Sequence, residues 1–215
     1  MEKTKIADIR RSYRKGGLVE EGLPESPVKL FEQWLSEAVA TEDAEPNVMS
    51  LATVDEHGRP DVRQVLLKGV EEDAILFFTN YRSRKAQNLS NNPYATCCFW
   101  WPGLERQVRL DGPVGKVSRE ISESYFATRP RESQIGAWAS DQSRPVENRQ
   151  VLEEEFEKYQ AKFEGREVPM PEYWGGYRLK IENMEFWQGR PGRLHDRILY
   201  SFASKNKWDR VRLAP

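Results

Sequence analysis

Histidine and cysteine are almost missing from this 215-residue chain, which has two of each. The cysteines, Cys97 and Cys98, are adjacent in YATCCFWW. Neighbours on a strand point to opposite faces, so the pair suits neither a long-range disulfide nor a metal site. Buried thiols in a reducing cytoplasm are the expectation, with no metal. Long apolar runs are lacking as well: none approaches the roughly 20 residues needed to span a bilayer. The N-terminal MEKTKIADIRRSYRKGG is charged throughout and has no apolar signal core. A cytoplasmic protein with no membrane partner is therefore expected. Nor is there an excess of either charge, since 33 Lys and Arg against 34 Asp and Glu leave a net charge of -1. That balance offers no general attraction to nucleic acid, so any anion must be held by local clusters.

Aromatics are plentiful, with seven Trp, eight Tyr and nine Phe, which argues against disorder. The first 25 residues are polar and contain KGGLVEEGLPES, an arm ahead of a single folded domain over 26–215. Whether the arm is ordered is left open. Ser26-Pro27 is a helix start, and Leu30, Trp34 and Leu35 lie on one side of the helix that follows. Then the period changes. NVMSLATV, DVRQVLLK, AILFFTN, YATCCFWW and ERQVRLDG are short runs of strand formers, punctuated by DEHGRP, GVEED and PGL as turns. Short links imply antiparallel pairing, because parallel neighbours need long crossovers.

Two helices interrupt, one near SREISESYFATR. The other is VENRQVLEEEFEKYQAKFEG, with Leu152, Phe156, Tyr159 and Phe163 at helical spacing. GYRLKIENMEFWQG, RILYSFAS and KWDRVRLAP read as three final strands. The expected architecture is mainly β with peripheral helices (α+β), an antiparallel barrel or sandwich in one domain.

Basic residues gather in four places. Arg63 and Lys68 flank the RQVLLK strand; five apart, they face opposite ways on an extended chain. Arg82, Arg84 and Lys85 open a short helical stretch, where free backbone N–H groups already favour an anion. Arg129 and Arg131 bracket a proline, and Arg193 and Arg197 surround His195. Each cluster alone also fits solvated surface cations. Together they suit two phosphate groups, as arginine forks match phosphate oxygens. Gln107 and the Gln142-Ser143 pair carry amide and hydroxyl groups of the kind a buried heterocycle needs. His195 between two cations would be held neutral if they are close in space. The same residues also fit a strand-end histidine with arginines paired to Asp196.

The run EFWQGRPGRLHDR (185–197) closely resembles the motif of the pyridoxine (pyridoxamine) 5'-phosphate oxidase family. RRSY, RQVLLK, FFTN followed by SRKAQ, LERQVR, RPRESQIGAW, SDQSR, WGGYR and the terminal RLAP resemble further family segments, in the family's order. The resemblance implies an FMN-binding split β-barrel working as a homodimer, with FMN at the subunit interface. It implies oxidation of pyridoxine or pyridoxamine 5'-phosphate to pyridoxal 5'-phosphate, with dioxygen as acceptor and hydrogen peroxide as product.

Carried over by position, the FMN contacts are Arg63, Val65, Leu66, Lys68, Phe78, Thr79, Arg84, Lys85, Gln107, Gln142, Ser143, Trp187 and Arg197. Lys68, Tyr125, Arg129 and Ser133 match the site for the substrate phosphate. Arg193, Leu194 and His195 match the pyridine side, with Arg193 and His195 as the catalytic pair. Arg10, Arg11, Ser12 and Tyr13 match an arm segment that can close on the ligand. Departures are small: Phe78 where some relatives have Tyr, Gln64 where many have an aliphatic, and an extra proline in GRPG. A flavin carrier or sensor would have no need of Tyr125, Arg129, Ser133, Arg193 and His195. A nucleic-acid module is disfavoured by the net charge.

Overall fold

The computed structural model describes residues 6–8, 12–41, 45–204 and 207–215. In chain order the elements are α1 (Pro27–Ala40), β1 (Val48–Val54), β2 (Pro60–Leu66), β3 (Gly69–Glu71), β4 (Ala74–Asn80), α2 (Arg84–Asn91), β5 (Tyr94–Trp101) and β6 (Arg106–Lys116). They continue with α3 (Arg119–Thr128), α4 (Arg131–Ala139), α5 (Arg149–Lys162), β7 (Trp174–Lys180), β8 (Asn183–Gln188), β9 (Asp196–Ser204) and β10 (Lys207–Arg212). The chain divides into two compact units. One comprises Met1–Met49, Cys97–Leu110 and Glu182–Pro215; the other comprises Ser50–Thr96 and Asp111–Ile181.

The first unit is built on an antiparallel meander. β8 pairs with β9 in the register Trp187↔Arg197, and β9 pairs with β10. Helix α1 buries Leu30, Phe31, Trp34 and Ala38. Phe31 meets Phe99 at 5.0 Å, and Trp34 meets Phe186 edge-on at 5.2 Å. Each such aromatic contributes about 1.5–3 kcal/mol on leaving water. Ser26 is the N-cap of α1 and Pro27 its first residue, as the sequence indicates, although the serine side chain makes no capping bond.

The arm is tied to this unit from Arg14 onward. The backbone N–H groups of Arg14 and Lys15 donate to Glu105, Leu18 N–H donates to Asp196, and Arg212 clasps Glu20 at 2.6 and 2.8 Å.

In the second unit β4 is the central strand of an antiparallel group. It pairs with β3 on one side and β7 on the other, and β7 pairs with Val114–Lys116 of β6. Arg178 ties β7 to the β3–β4 turn through Glu71 and Asp73, both at 2.5 Å. Phe126, Ile135, Phe163 and Trp174 form a separate core under α3, α4 and the end of α5.

Three elements differ from the sequence reading. GVEED is not only a turn, since Gly69–Glu71 is a short strand. GYRLKIENMEFWQG is two strands, parted at Ile181–Glu182, where Ile181 N–H leaves the ladder for Asp73 carbonyl. Residues 131–139 form a further helix, α4, whose polar N-terminal half hides its one buried side chain, Ile135. The apolar face expected of α5 is only half covered: no residue within it is buried, and Phe163 is buried just beyond its end.

Candidate functional site

The second unit contains a cleft of about 740 Å³ lined by three of the expected anion-binding cations, Lys68, Lys85 and Arg129, together with several of the other expected site residues. Val65, Leu66 and Lys68 come from the end of β2, Phe78 and Thr79 from β4, and Lys85 from α2. Tyr125, Arg129, Ser133 and Gln142 come from the helical segment that follows β6. The cleft has a cationic floor and an aromatic wall.

On the floor, Lys85 is buried at 9% exposure and its ammonium donates to Thr79 Oγ1 at 3.1 Å and Gln142 Oε1 at 3.0 Å. Burial first, and then the charge of Arg63, push its pKa down to about 8; Asp61 opposes. Arg63 donates to Leu51 carbonyl and Thr53 Oγ1 and pairs with Asp61. Asp61 also faces Arg84 at 3.4 Å. The N–H of Arg84, first residue of α2, donates to Ser143 Oγ at 3.2 Å. A helix N-terminus, two arginines and a lysine therefore meet neutral acceptors and the single carboxylate of Asp61, which leaves cationic charge in excess.

On the wall, Phe78 stacks on Tyr125 at 4.0 Å and on Trp174 at 5.6 Å. The Arg129 guanidinium lies over Trp174 at 4.7 Å. Among the described residues its Nη1 is the one buried side-chain nitrogen or oxygen without a hydrogen-bond partner. Burial lowers the Arg129 pKa, with Tyr125 opposing. A buried N–H with no acceptor costs about 1–3 kcal/mol, a penalty that an anionic ligand would offset. Lys68 differs from the sequence reading. β2 ends at Leu66, and Lys68 N–H bonds to Leu76 carbonyl at 2.9 Å, so Lys68 and Arg63 do not share one extended strand.

The first unit holds a second cluster at the β8–β9 turn. Trp187 and His195 lie 4.6 Å apart, and Tyr13 of the arm meets both edge-on, at 5.6 and 5.7 Å. Arg190 N–H donates to His195 Nδ1 at 3.1 Å. Burial first, and then the charge of Arg193, lower the His195 pKa, while Asp196 opposes.

Arg197 is not among the neighbours that oppose protonation, a correction to the sequence reading. Its guanidinium is engaged by Glu185 at 2.9 and 3.0 Å and by Ala214 carbonyl at 2.8 Å. Asp196 pairs with Arg212 at 2.7 Å and faces Arg190 at 3.5 Å. Arg193 and Leu194 are exposed, as is Ser12; Gln107 lies half-buried on β6. Arg10 and Arg11 lie outside the described residues.

Among the described residues three non-glycines have positive φ: Glu105 (56°), Ser143 (72°) and Arg193 (63°). Backbone held there collects at functional sites. Ser143 and Arg193 were marked by the sequence; Glu105, Asp61, Arg190 and Glu185 were not. Asp61 could have been found, since it lies two residues before Arg63 on a strand and so shares its face.

The antiparallel strands of the two units are those of the split-barrel class, and the cleft of the second unit is lined by cations and aromatic rings. Residues 35–163 match the family model described as pyridoxamine 5'-phosphate oxidase, and 174–215 match the pyridoxine 5'-phosphate oxidase C-terminal dimerisation region. The chain belongs to the pyridoxine/pyridoxamine 5'-phosphate oxidase family.

It is 52% identical over 212 residues to the pyridoxine/pyridoxamine 5'-phosphate oxidase of Cupriavidus taiwanensis, covering 99% of this chain and 100% of that one. With the enzyme of the same name from Rubrobacter xylanophilus it shares 50% over 210 residues, covering 98% and 96%. Among solved structures it is similar to PhzG from Burkholderia lata 383 in complex with tetrahydrophenazine-1-carboxylic acid. The TM-score is 0.86 at 27% identity, covering 92% of this chain and 98% of that one.

Proposed function

We propose that the protein is an FMN-dependent oxidase that converts pyridoxine or pyridoxamine 5'-phosphate to pyridoxal 5'-phosphate. Dioxygen would be reduced to hydrogen peroxide; the amine substrate would also consume water and release ammonia. The family match and the full-length relatives of that name support this reading. The observation that carries it is the cleft chemistry: a buried lysine short of negative partners and an arginine with an orphaned buried N–H. Both fit phosphorylated ligands. The match to a C-terminal dimerisation region supports a homodimer, and FMN would lie at the subunit interface, as the family resemblance implies. No described helix is long and apolar enough to cross a membrane, and the proposed compartment is the cytoplasm.

Bound FMN would supply the hydride acceptor and the route to dioxygen. Lys85, Arg63, Arg84 and Ser143 would hold the flavin phosphate, with Thr79 and Gln142 completing the polar shell. Val65, Leu66, Phe78 and Lys68 would line the flavin side, and the family resemblance assigns further flavin contacts to Gln107, Trp187 and Arg197. Arg129, Tyr125, Ser133 and Lys68 would grip the substrate phosphate.

Arg193 and His195 would orient the pyridine ring. Because Nδ1 accepts from Arg190, a neutral His195 carries its proton on Nε2 and presents a donor there. Positioning, exclusion of water and a fixed tautomer are the protein's contributions. The test is to supply purified protein and FMN with pyridoxamine 5'-phosphate in air. Equal amounts of aldehyde and peroxide are expected; flavin binding without either product would favour a carrier or sensor instead.

A further inference from the structure

Glu105 is buried at 3% exposure in a tight turn between β5 and β6, with a left-handed φ of 56°. Its two polar ends face different partners. One carboxylate oxygen accepts the backbone N–H of Arg14 at 2.7 Å and of Lys15 at 2.9 Å. Its backbone carbonyl accepts Gly189 N–H at 2.8 Å and Gln188 Nε2 at 3.2 Å. The arm also lies tightly against Gly189, where an added Cβ would meet Tyr13 Cγ at 2.7 Å. Tyr13, next to the two held amides, is the ring that meets Trp187 and His195.

We propose that Glu105 is a positioning residue, its carboxylate fixing the arm so that Tyr13 is held against the Trp187–His195 pair. The inference rests on the functional reading for its consequence in turnover, but not for the contact itself. A left-handed turn needs no glutamate; glycine adopts it with less strain. The turn's own bonds to Gly189 and Gln188 use the backbone carbonyl and survive any side chain. What glutamate adds is an anionic acceptor for two N–H groups of the arm, and such charge-assisted bonds are the stronger kind.

Glu105→Gly separates the two roles, because it keeps the turn and deletes the acceptor. Arg14 and Lys15 are themselves trypsin sites, so release of this stretch can be read by mapping cleavage after each of them. Local opening controls such cleavage, and loss of both bonds should accelerate it about ten-fold or more. FMN retention and thermal midpoint should stay near the parent's, while kcat/KM for pyridoxamine 5'-phosphate falls about ten-fold, by the usual reading of lost positioning.

Glu105→Gln keeps a neutral acceptor and should show a smaller acceleration. It is also the deciding variant if the glycine form fails to fold. Cleavage at the parent rate in a folded Glu105→Gly protein, or in Glu105→Gln when the glycine form does not fold, would overturn the proposal. If every protein, parent included, lacked oxidase activity, the functional reading would fall while the cleavage result still stood.

Discussion

The backbone N–H of Arg190 donates to Nδ1 of His195 at 3.1 Å, so the imidazole cannot gain a second proton without breaking that bond. Burial and Arg193 push in the same direction, and Asp196 alone opposes. His195 is therefore built to stay neutral.

Activity that needs the neutral ring should be full above the pKa of His195 and decline as pH falls through it. Since that pKa is below the ordinary histidine value, the acid limb lies at lower pH than an unperturbed histidine would give. Arg193→Gln removes the repelling charge and should move the pKa up. Because the chain has only two histidines, His57→Gln leaves a single imidazole signal for NMR titration. No upward move in Arg193→Gln would contradict the assignment.

Lys85 carries the corresponding prediction for the flavin phosphate. Its pKa of about 8 means that the free protein loses this cation as pH rises through that value. Affinity for FMN should therefore weaken above about pH 8, and binding near that pH should take up protons. Riboflavin, without the phosphate, should show no such dependence. Lys85→Met should weaken FMN by about 10–100-fold and flatten the profile, as expected for one lost charge-assisted contact. Isothermal titration in two buffers of different ionisation heat measures the proton uptake.

The proposed phosphate role of Arg129 predicts a trade of stability for binding. Its orphaned Nη1 is a penalty in the free protein and an asset once an anion arrives. Arg129→Met, which keeps the stacking length over Trp174, should raise the thermal midpoint of the free protein. The same change should increase KM for pyridoxamine 5'-phosphate at least ten-fold, by the cost of a lost arginine–phosphate pair. A lower midpoint would show that the cation is already satisfied without ligand.

Gly176 tests the aromatic wall. It pairs with Phe78 across β4 and β7, and an added Cβ would meet Phe78 Cε1 at 2.6 Å and Val117 Cγ2 at 2.7 Å. Gly176→Ala should destabilise by about 1–3 kcal/mol through overpacking and push Phe78 off its stack on Tyr125. Adding Phe78→Leu should recover part of the loss, a coupling that denaturant unfolding of the two single variants and the double variant would reveal.

The sequence was most legible where period or motif carried the information. Alternation along YATCCFWW buries Ala95, Cys97, Phe99 and Trp101, as a strand requires. The RLHDR tract puts His195 beside Arg193, as read, but Arg197 turns away to Glu185. That pairing runs diagonally across the β8–β9 hairpin, and only its register, Trp187↔Arg197, brings the two within reach. PGL marks the turn before Glu105, but nothing in the sequence says that Glu105 itself is left-handed or that its carboxylate meets the arm. Helix α4 was missed because RESQIGAWA buries one residue and has no apolar face to announce it.

The most direct test uses the flavin's own colour in the absence of air. Protein loaded with FMN should be yellow. Pyridoxamine 5'-phosphate should bleach it within the first turnover, while pyridoxamine without the phosphate should not at equal concentration. Admitting air should restore the colour and release peroxide. A protein that stays yellow with the phosphorylated amine, or is bleached equally by both amines, would contradict the assignment of the Arg129 cleft to the substrate phosphate.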